Sequence, residues 1–341
     1  MVKTILTLLV LASAGLAQSS TDLPFSGRNP QDVDFSFSQA QISRAEGSYS
    51  QTSSLASNVA SSASLSLPTI RKEVQEVNLT FTVTDHHGHF VHNLAPSDFT
   101  INDKGEPPER ITYFESQSEL PLRLAIVIDS SDSVAYAFND EKRSAAAFLK
   151  RILRRTSDLA LVMEFNQEVR LVQELASDND LLSHAIQHLR SGGETAIYDA
   201  VSAASQQLAK VKDAQTARRA IILLTDGEDN RSHINLEQAE EAAQHNECAV
   251  YVMSINLAGV NGEQYERTMK ELSEVTGGTF LDVRTKEGVT NAFSRIDQEL
   301  RSQYFISYKP ASVSPDGSFH RIVVLGPRKL RIHHRDGYFA K

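Results

Sequence analysis

The rhythm of apolar and polar positions changes several times along this chain, and each rhythm predicts a different kind of structure. Val77, Leu79, Phe81 and Val83 alternate with Asn78, Thr80, Thr82 and Thr84, the period of a half-buried strand. Asp85-His86-His87-Gly88 predicts a turn, and Phe90-Val91 the start of a return strand. Alternation resumes at Phe99-Thr100-Ile101 and at Ile111-Thr112-Tyr113-Phe114, either side of a turn with Gly105, Pro107 and Pro108. From Leu122 the apolar runs become continuous, at 124–128, 159–163, 220–224 and 250–255. Runs of this kind suit strands covered on both faces. Between them, Ala145, Phe148, Leu149, Ile152 and Leu153 recur at helical spacing, as do Ile197, Val201, Ala204 and Leu208. Helices at about 263–275 and 287–300 complete the series.

Buried strands alternating with amphipathic helices predict a doubly wound, mostly parallel α/β sheet over residues 119–300. After Leu300 the alternation returns, in Tyr304-Phe305-Ile306-Ser307-Tyr308 and Ile322-Val323-Val324, with a Pro315-Asp316-Gly317 turn between them. Neither β flank is long enough to bury much surface alone. Residues 71–118 and 301–341 are therefore expected to pair into one small β-sandwich, with the α/β domain inserted between them.

The first residues carry a different signal. Lys3, the apolar run from Ile5 to Leu11 and the small-x-small Gly15-Leu16-Ala17 match a secretory signal peptide over residues 1–17. The apolar run is shorter than the roughly 20 residues a membrane-spanning helix needs. The chain is accordingly expected in the periplasm or fully secreted, with no membrane span after processing. Residues 18–70 are rich in Ser, Gln, Asn and Ala without sustained apolar period, and predict a disordered spacer.

Composition narrows the partners. Lys and Arg number 34 against 43 Asp and Glu, a formal net charge of −9. Loss of Lys3 with the signal peptide makes it −10. This balance argues against nucleic acid and anionic membrane surfaces. Cys248 is the only cysteine, so the fold must rest on packing without an intrachain disulfide.

Candidate chemistry lies at the ends of the apolar runs, where open α/β sheets bind ligands. The first ends in Asp129-Ser130-Ser131-Asp132-Ser133, and the third in Thr225-Asp226-Gly227. Between them, Gly192-Gly193-Glu194-Thr195 leads into a helix. Hydroxyls and carboxylates without His or Cys suit a hard cation, Mg²⁺ or else Mn²⁺ or Ca²⁺, rather than Zn²⁺. Ser131 and Ser133 can point at a common centre, and Asp129 and Asp226 can balance the two charges of the ion. An octahedral ion so held keeps an open position for a partner's carboxylate.

Asp-x-Ser-x-Ser at 129–133, Thr195 after its Gly-Gly loop and Thr225-Asp226-Gly227 resemble the metal-ion-dependent adhesion site of von Willebrand factor A domains. The resemblance covers about 119–300 and implies Asp129, Ser131, Ser133, Thr195 and Asp226 as metal residues. Asp132 and Val134 stand where many A domains carry Gly and Met. More narrowly, Val83-Thr84-Asp85, Asp98-Phe99, Tyr308-Lys309-Pro310 and Arg335-Asp336-Gly337-Tyr338 are similar to A-related proteins common in acidobacteria.

The expected function is therefore that of an exported module holding a partner protein's Asp or Glu at a divalent cation. Two alternatives stay open, a scaffold component that assembles without metal and a metal-dependent hydrolase using Ser131 or water. Against the hydrolase, there is no Gly-x-Ser-x-Gly elbow, and His184, His188 and His233 sit in predicted helices or at a helix start. His86, His87, His89 and His92 crowd one predicted turn, with His333-His334 near the chain end. They read as an exposed hairpin in preference to a Zn²⁺ or Cu²⁺ site, because a turn alone does not fix tetrahedral geometry.

Overall fold

The computed structural model describes residues 76–116, 119–211, 217–255, 262–312 and 316–340. All of them fall within one compact unit, Thr69–Lys341. The signal-peptide segment 1–17 and the Ser-rich stretch 18–70 lie outside the described residues.

The central layer is a six-stranded sheet in the order β6-β5-β4-β7-β8-β9. Its strands are β4 (Leu122–Asp129), β5 (Leu159–Phe165), β6 (Val169–Ala176), β7 (Arg218–Thr225), β8 (Cys248–Ile255) and β9 (Phe280–Val283). All neighbours run parallel except the edge strand β6, which is antiparallel to β5. The continuous apolar runs reflect two-sided burial. In β4, Leu122, Leu124, Ile126 and Ile128 enter one core, while Ala125 and Val127 enter the other.

Helices α1 (Phe138–Ile152), α2 (Asn179–Gln187) and α6 (Lys286–Arg301) cover the first face. Helices α3 (Ile197–Ala209), α4 (Leu236–His245) and α5 (Glu263–Thr276) cover the second. Several helix ends follow from local chemistry. Asp178 caps α2 by accepting from the amides of Asp180 and Leu181, and Asn235 with Gln238 forms a reciprocal capping box on α4. Gly277 ends α5 at φ 83°, a left-handed conformation that glycine adopts without steric cost. Fully burying one Leu, Ile or Phe in such a core contributes roughly 1.5–3 kcal/mol.

The β flanks meet through backbone pairing. In one sheet, ordered β12-β1-β10-β3, β1 (Val77–Thr84) and β3 (Arg110–Ser116) flank β10 (Tyr304–Lys309), and β12 (Arg331–His334) adds to β1. In the other, ordered β13-β11-β2, β11 (Phe319–Leu325) lies between β13 (Gly337–Phe339) and β2 (Thr100–Asp103). Val77, Leu79, Phe81, Val83, Tyr304, Ile306 and Tyr308 of the first sheet share a core with Ile101, Ile322 and Val324 of the second.

The expected return strand at Phe90-Val91 does not form. Phe90 makes a single bridge to Thr84, after which the chain follows a loop. The Tyr304 hydroxyl, which donates to Val91 O at 3.0 Å and accepts from Leu94 N at 3.2 Å, holds that loop in place of a ladder. Among the described residues no helix is long and apolar enough to cross a membrane.

Candidate metal site

Three loops converge beyond the carboxyl ends of β4, β5 and β7. β4 delivers Asp129 fully buried at its last position, and β7 delivers Thr225 followed by Asp226. The loop after β4 is tied to the glycine loop by two backbone bonds, Gly192 N to Ser130 O at 2.6 Å and Asp132 N to Gly193 O at 3.0 Å. Ser130 itself faces away, donating through N and Oγ to Phe165 O of β5. Asn166, just past β5, donates through its side-chain amide to Gly192 O at 2.8 Å. Gly193 sits at φ 102°, and a Cβ there would come within 3.3 Å of Gln167 Oε1 and 3.5 Å of Asn166 Cβ. Only glycine fits this turn comfortably.

Within this frame the polar side chains form a connected line. Ser131 Oγ and Ser133 Oγ are 3.0 Å apart, and Ser133 Oγ donates to Asp226 Oδ1 at 2.6 Å. The Asp129 carboxylate accepts from Ser131 N at 2.8 Å and from Thr225 Oγ1 at 2.6 Å. Four of the five sequence-derived residues, Asp129, Ser131, Ser133 and Asp226, are thus gathered at one place. Thr195 is buried at the edge of the same loops, but no hydrogen bond among the described residues links its hydroxyl to the other four. Its backbone is held by Asn230, which accepts from Thr195 N at 3.0 Å and donates to Thr195 O at 3.0 Å.

Two residues outside the five expected metal residues belong to this neighbourhood. Thr225 orients Asp129. Glu141, in the first turn of α1, is only 1% exposed, and neither of its carboxylate oxygens has a hydrogen-bond partner among the described residues. Asp229 does structural work: its Oδ1 accepts from Ile197 N at 2.7 Å and Ser232 Oγ at 2.5 Å, fixing the start of α3.

The electrostatics are one-sided. Burial pushes Asp129 up to about 6, with its Thr225 and Ser131 hydrogen bonds opposing and Asp226 adding to the rise. Burial also raises Asp226, against the Ser133 hydrogen bond. Glu141 is pushed up to about 8 by burial, then by the like charges of Asp226, Asp129 and Asp140. Among the described residues no Lys, Arg or His forms an ion pair with these three carboxyls. Asp140, next to Glu141, instead pairs with Lys286 at 2.6 Å and with Arg143.

Oxygen donors clustered around uncompensated buried carboxyls fit a hard divalent cation. Among the described residues no three His, Cys, Asp or Glu side chains are grouped closely enough to cage a metal. An ion here would need hydroxyls and water beside the two aspartates. His86, His87 and His89 lie on the surface around Asp85, which accepts from the His87 and His89 amides at 2.8 and 2.9 Å. His333 donates to Gly278 O and His334 to Arg335 O, both at 2.6 Å. His233 pairs with Asp199 at 2.7 Å on the surface.

Fold and site together define an α/β module whose loops present hydroxyls and carboxylates at the carboxyl edge of its sheet. The von Willebrand factor type A domain profile matches residues 124–295, just over half of the 341-residue chain, and the chain belongs to that family. Calcium-activated chloride channel regulator 1 of Bos taurus is 28% identical over 202 residues, covering 58% of this chain and 21% of that protein. The chain therefore spans about a fifth of that relative's length. Among solved structures, von Willebrand factor type A from Catenulispora acidiphila is similar with a TM-score of 0.47 and 14% identity, over 80% of this chain and 73% of that one. Proximal thread matrix protein 1 from the mussel byssus, solved with a zinc-occupied MIDAS motif, has a TM-score of 0.47 and 16% identity, over 58% and 49% of the two chains.

Proposed function

We propose that this protein is an exported protein-binding module that holds a partner's Asp or Glu at a divalent cation seated by Asp129, Ser131, Ser133, Thr195 and Asp226. The observation that carries this reading is the line Ser131–Ser133–Asp226 beside a fully buried Asp129, with no basic side chain among the described residues paired to either acid. Two carboxylates in low dielectric repel each other and are costly without a counter-charge. A cation of charge two removes that cost, and Mg²⁺, Mn²⁺ or Ca²⁺ matches an all-oxygen donor set. The chain's own residues position the ion: Thr225 holds Asp129, and the two backbone bonds at Gly192 and Gly193 hold the serine loop against the Thr195 loop. Export rests on the signal-peptide pattern of residues 1–17.

The test is capture of an immobilised acidic peptide, rich in Asp and Glu, by the purified chain in Mg²⁺ or Mn²⁺. Binding is expected to disappear with chelator and in Asp226→Ala, whose circular dichroism and melting profile stay native. Undiminished capture by Asp226→Ala would sink the metal-bridged mechanism.

A further inference from the structure

We propose that Glu141 is a positioning residue of the cation site, a third carboxylate that acts on the ion by its charge and through water instead of by a direct bond. This rests on the cation reading above. Glu141 lies three residues after Phe138 and four before Ala145, on the buried stripe of α1. That stripe otherwise holds Ala146, Phe148, Leu149 and Ile152. A carboxyl there replaces an apolar contact, and burying a polar group without a partner is destabilising. Neither carboxylate oxygen of Glu141 recovers that cost through a hydrogen bond among the described residues.

The helix dipole does not explain it. An acid in the first turn of α1 is favourable, but Asp140 supplies one in that same turn without being buried, and it is paired with Lys286 and Arg143. The strongest electrostatic neighbours of Glu141 are Asp226 and Asp129, so once ionised it adds negative charge beside two other acids. Glu141 is also not grouped with the two aspartates at the spacing of direct ligands. An acid near the site, short of bonding distance to the ion and with both oxygens free to accept, is placed to accept from water carried by the ion. Groups in that position commonly alter metal affinity 10–100-fold.

The experiment measures Mn²⁺ and Mg²⁺ affinity and metal-free melting temperature for the wild-type chain, Asp129→Ala, Glu141→Gln and Glu141→Leu. The expected result is binding by wild type and none by Asp129→Ala. Both Glu141 variants should bind at unchanged stoichiometry with affinity weakened about 10-fold, and their metal-free chains should melt no lower than wild type. A residue that only supported packing would move the other way, lowering the metal-free melting temperature and leaving affinity intact. That outcome, or wild-type affinity in Glu141→Leu, would overturn the proposal while the cation reading stood. No metal binding by the wild-type chain would overturn both.

Discussion

The two ends of the central sheet treat their buried acids in opposite ways. At the amino end, Asp158 accepts from Leu122 N at 2.9 Å, from Arg154 N at 2.9 Å and from Arg154 Nε at 3.1 Å. Arg154 also reaches Glu119 and the carbonyls of Glu119 and Leu120, and Arg218 donates to Leu120 O and Gln303 Oε1. At the carboxyl end, Asp129 and Asp226 accept from hydroxyls and an amide and Glu141 from nothing, and no guanidinium or ammonium among the described residues is paired to any of the three. Strand β4 joins the two, its first amide bound to Asp158 and its last residue being Asp129. An acid closed off by arginine holds the fold together. An acid left without a base in the same domain is where the proposed cation would supply the missing counter-charge.

The contrast can be broken at either end. Asp158→Ala leaves the Leu122 and Arg154 amides without their acceptor and Arg154 with only Glu119 as its acid, and should cost about 1–3 kcal/mol of stability. Denaturant titration should show this loss while divalent-cation affinity stays within experimental error of wild type. If affinity fell in parallel, the two ends would not be separable.

The two ends should also respond to pH with opposite sign. Burial alone would raise Asp158, but the Arg154 side chain and the Leu122 and Arg154 amides outweigh it and hold the carboxyl below its ordinary value. Its contribution is therefore present above about pH 4 and lost as the pH falls further. Glu141 is raised to about 8 by burial and by Asp226, Asp129 and Asp140. The metal-free folded state then binds more protons than the unfolded chain, and stability is lost as pH rises from about 4 toward that value. Melting curves of the metal-free chain should fall by roughly 5 °C over that upper range, with a smaller fall in Glu141→Gln. An unchanged alkaline slope in Glu141→Gln would remove this half of the contrast.

A smaller effect should follow from Thr225→Val, which keeps the side-chain shape but deletes the hydroxyl that orients Asp129. Calorimetry should report cation affinity weakened about 10-fold. Full affinity in this variant would show that Asp129 needs no help from β7.

The fold class was legible because continuous apolar runs have few uses other than strands covered on both faces, as in β4, β5, β7 and β8. The edge strand β6 escaped notice: Val169–Ala176 is half-buried along most of its length and interleaves Arg170, Gln173 and Glu174 with its apolar residues. The Phe90-Val91 turn-back looked like a strand because Val and Phe favour strands, whereas a tyrosine hydroxyl more than two hundred residues away decides its path. At the site, the Asp-x-Ser-x-Ser run and Thr225-Asp226-Gly227 could be read because they fall where strands end. Glu141 could not be read so easily, since Asn139-Asp140-Glu141-Lys142-Arg143 looks like a solvated helix start. Its one signal was register, three residues after Phe138 and four before Ala145.

The most direct test of a cation held at the carboxyl end of the sheet is isothermal titration of Mg²⁺, Mn²⁺ and Ca²⁺ into the purified chain beside Asp129→Ala, repeated with an acidic peptide present. The account predicts saturable one-site binding by wild type, tighter with the peptide and absent from the variant. Equal binding by both proteins, or none by either with peptide present, would contradict it.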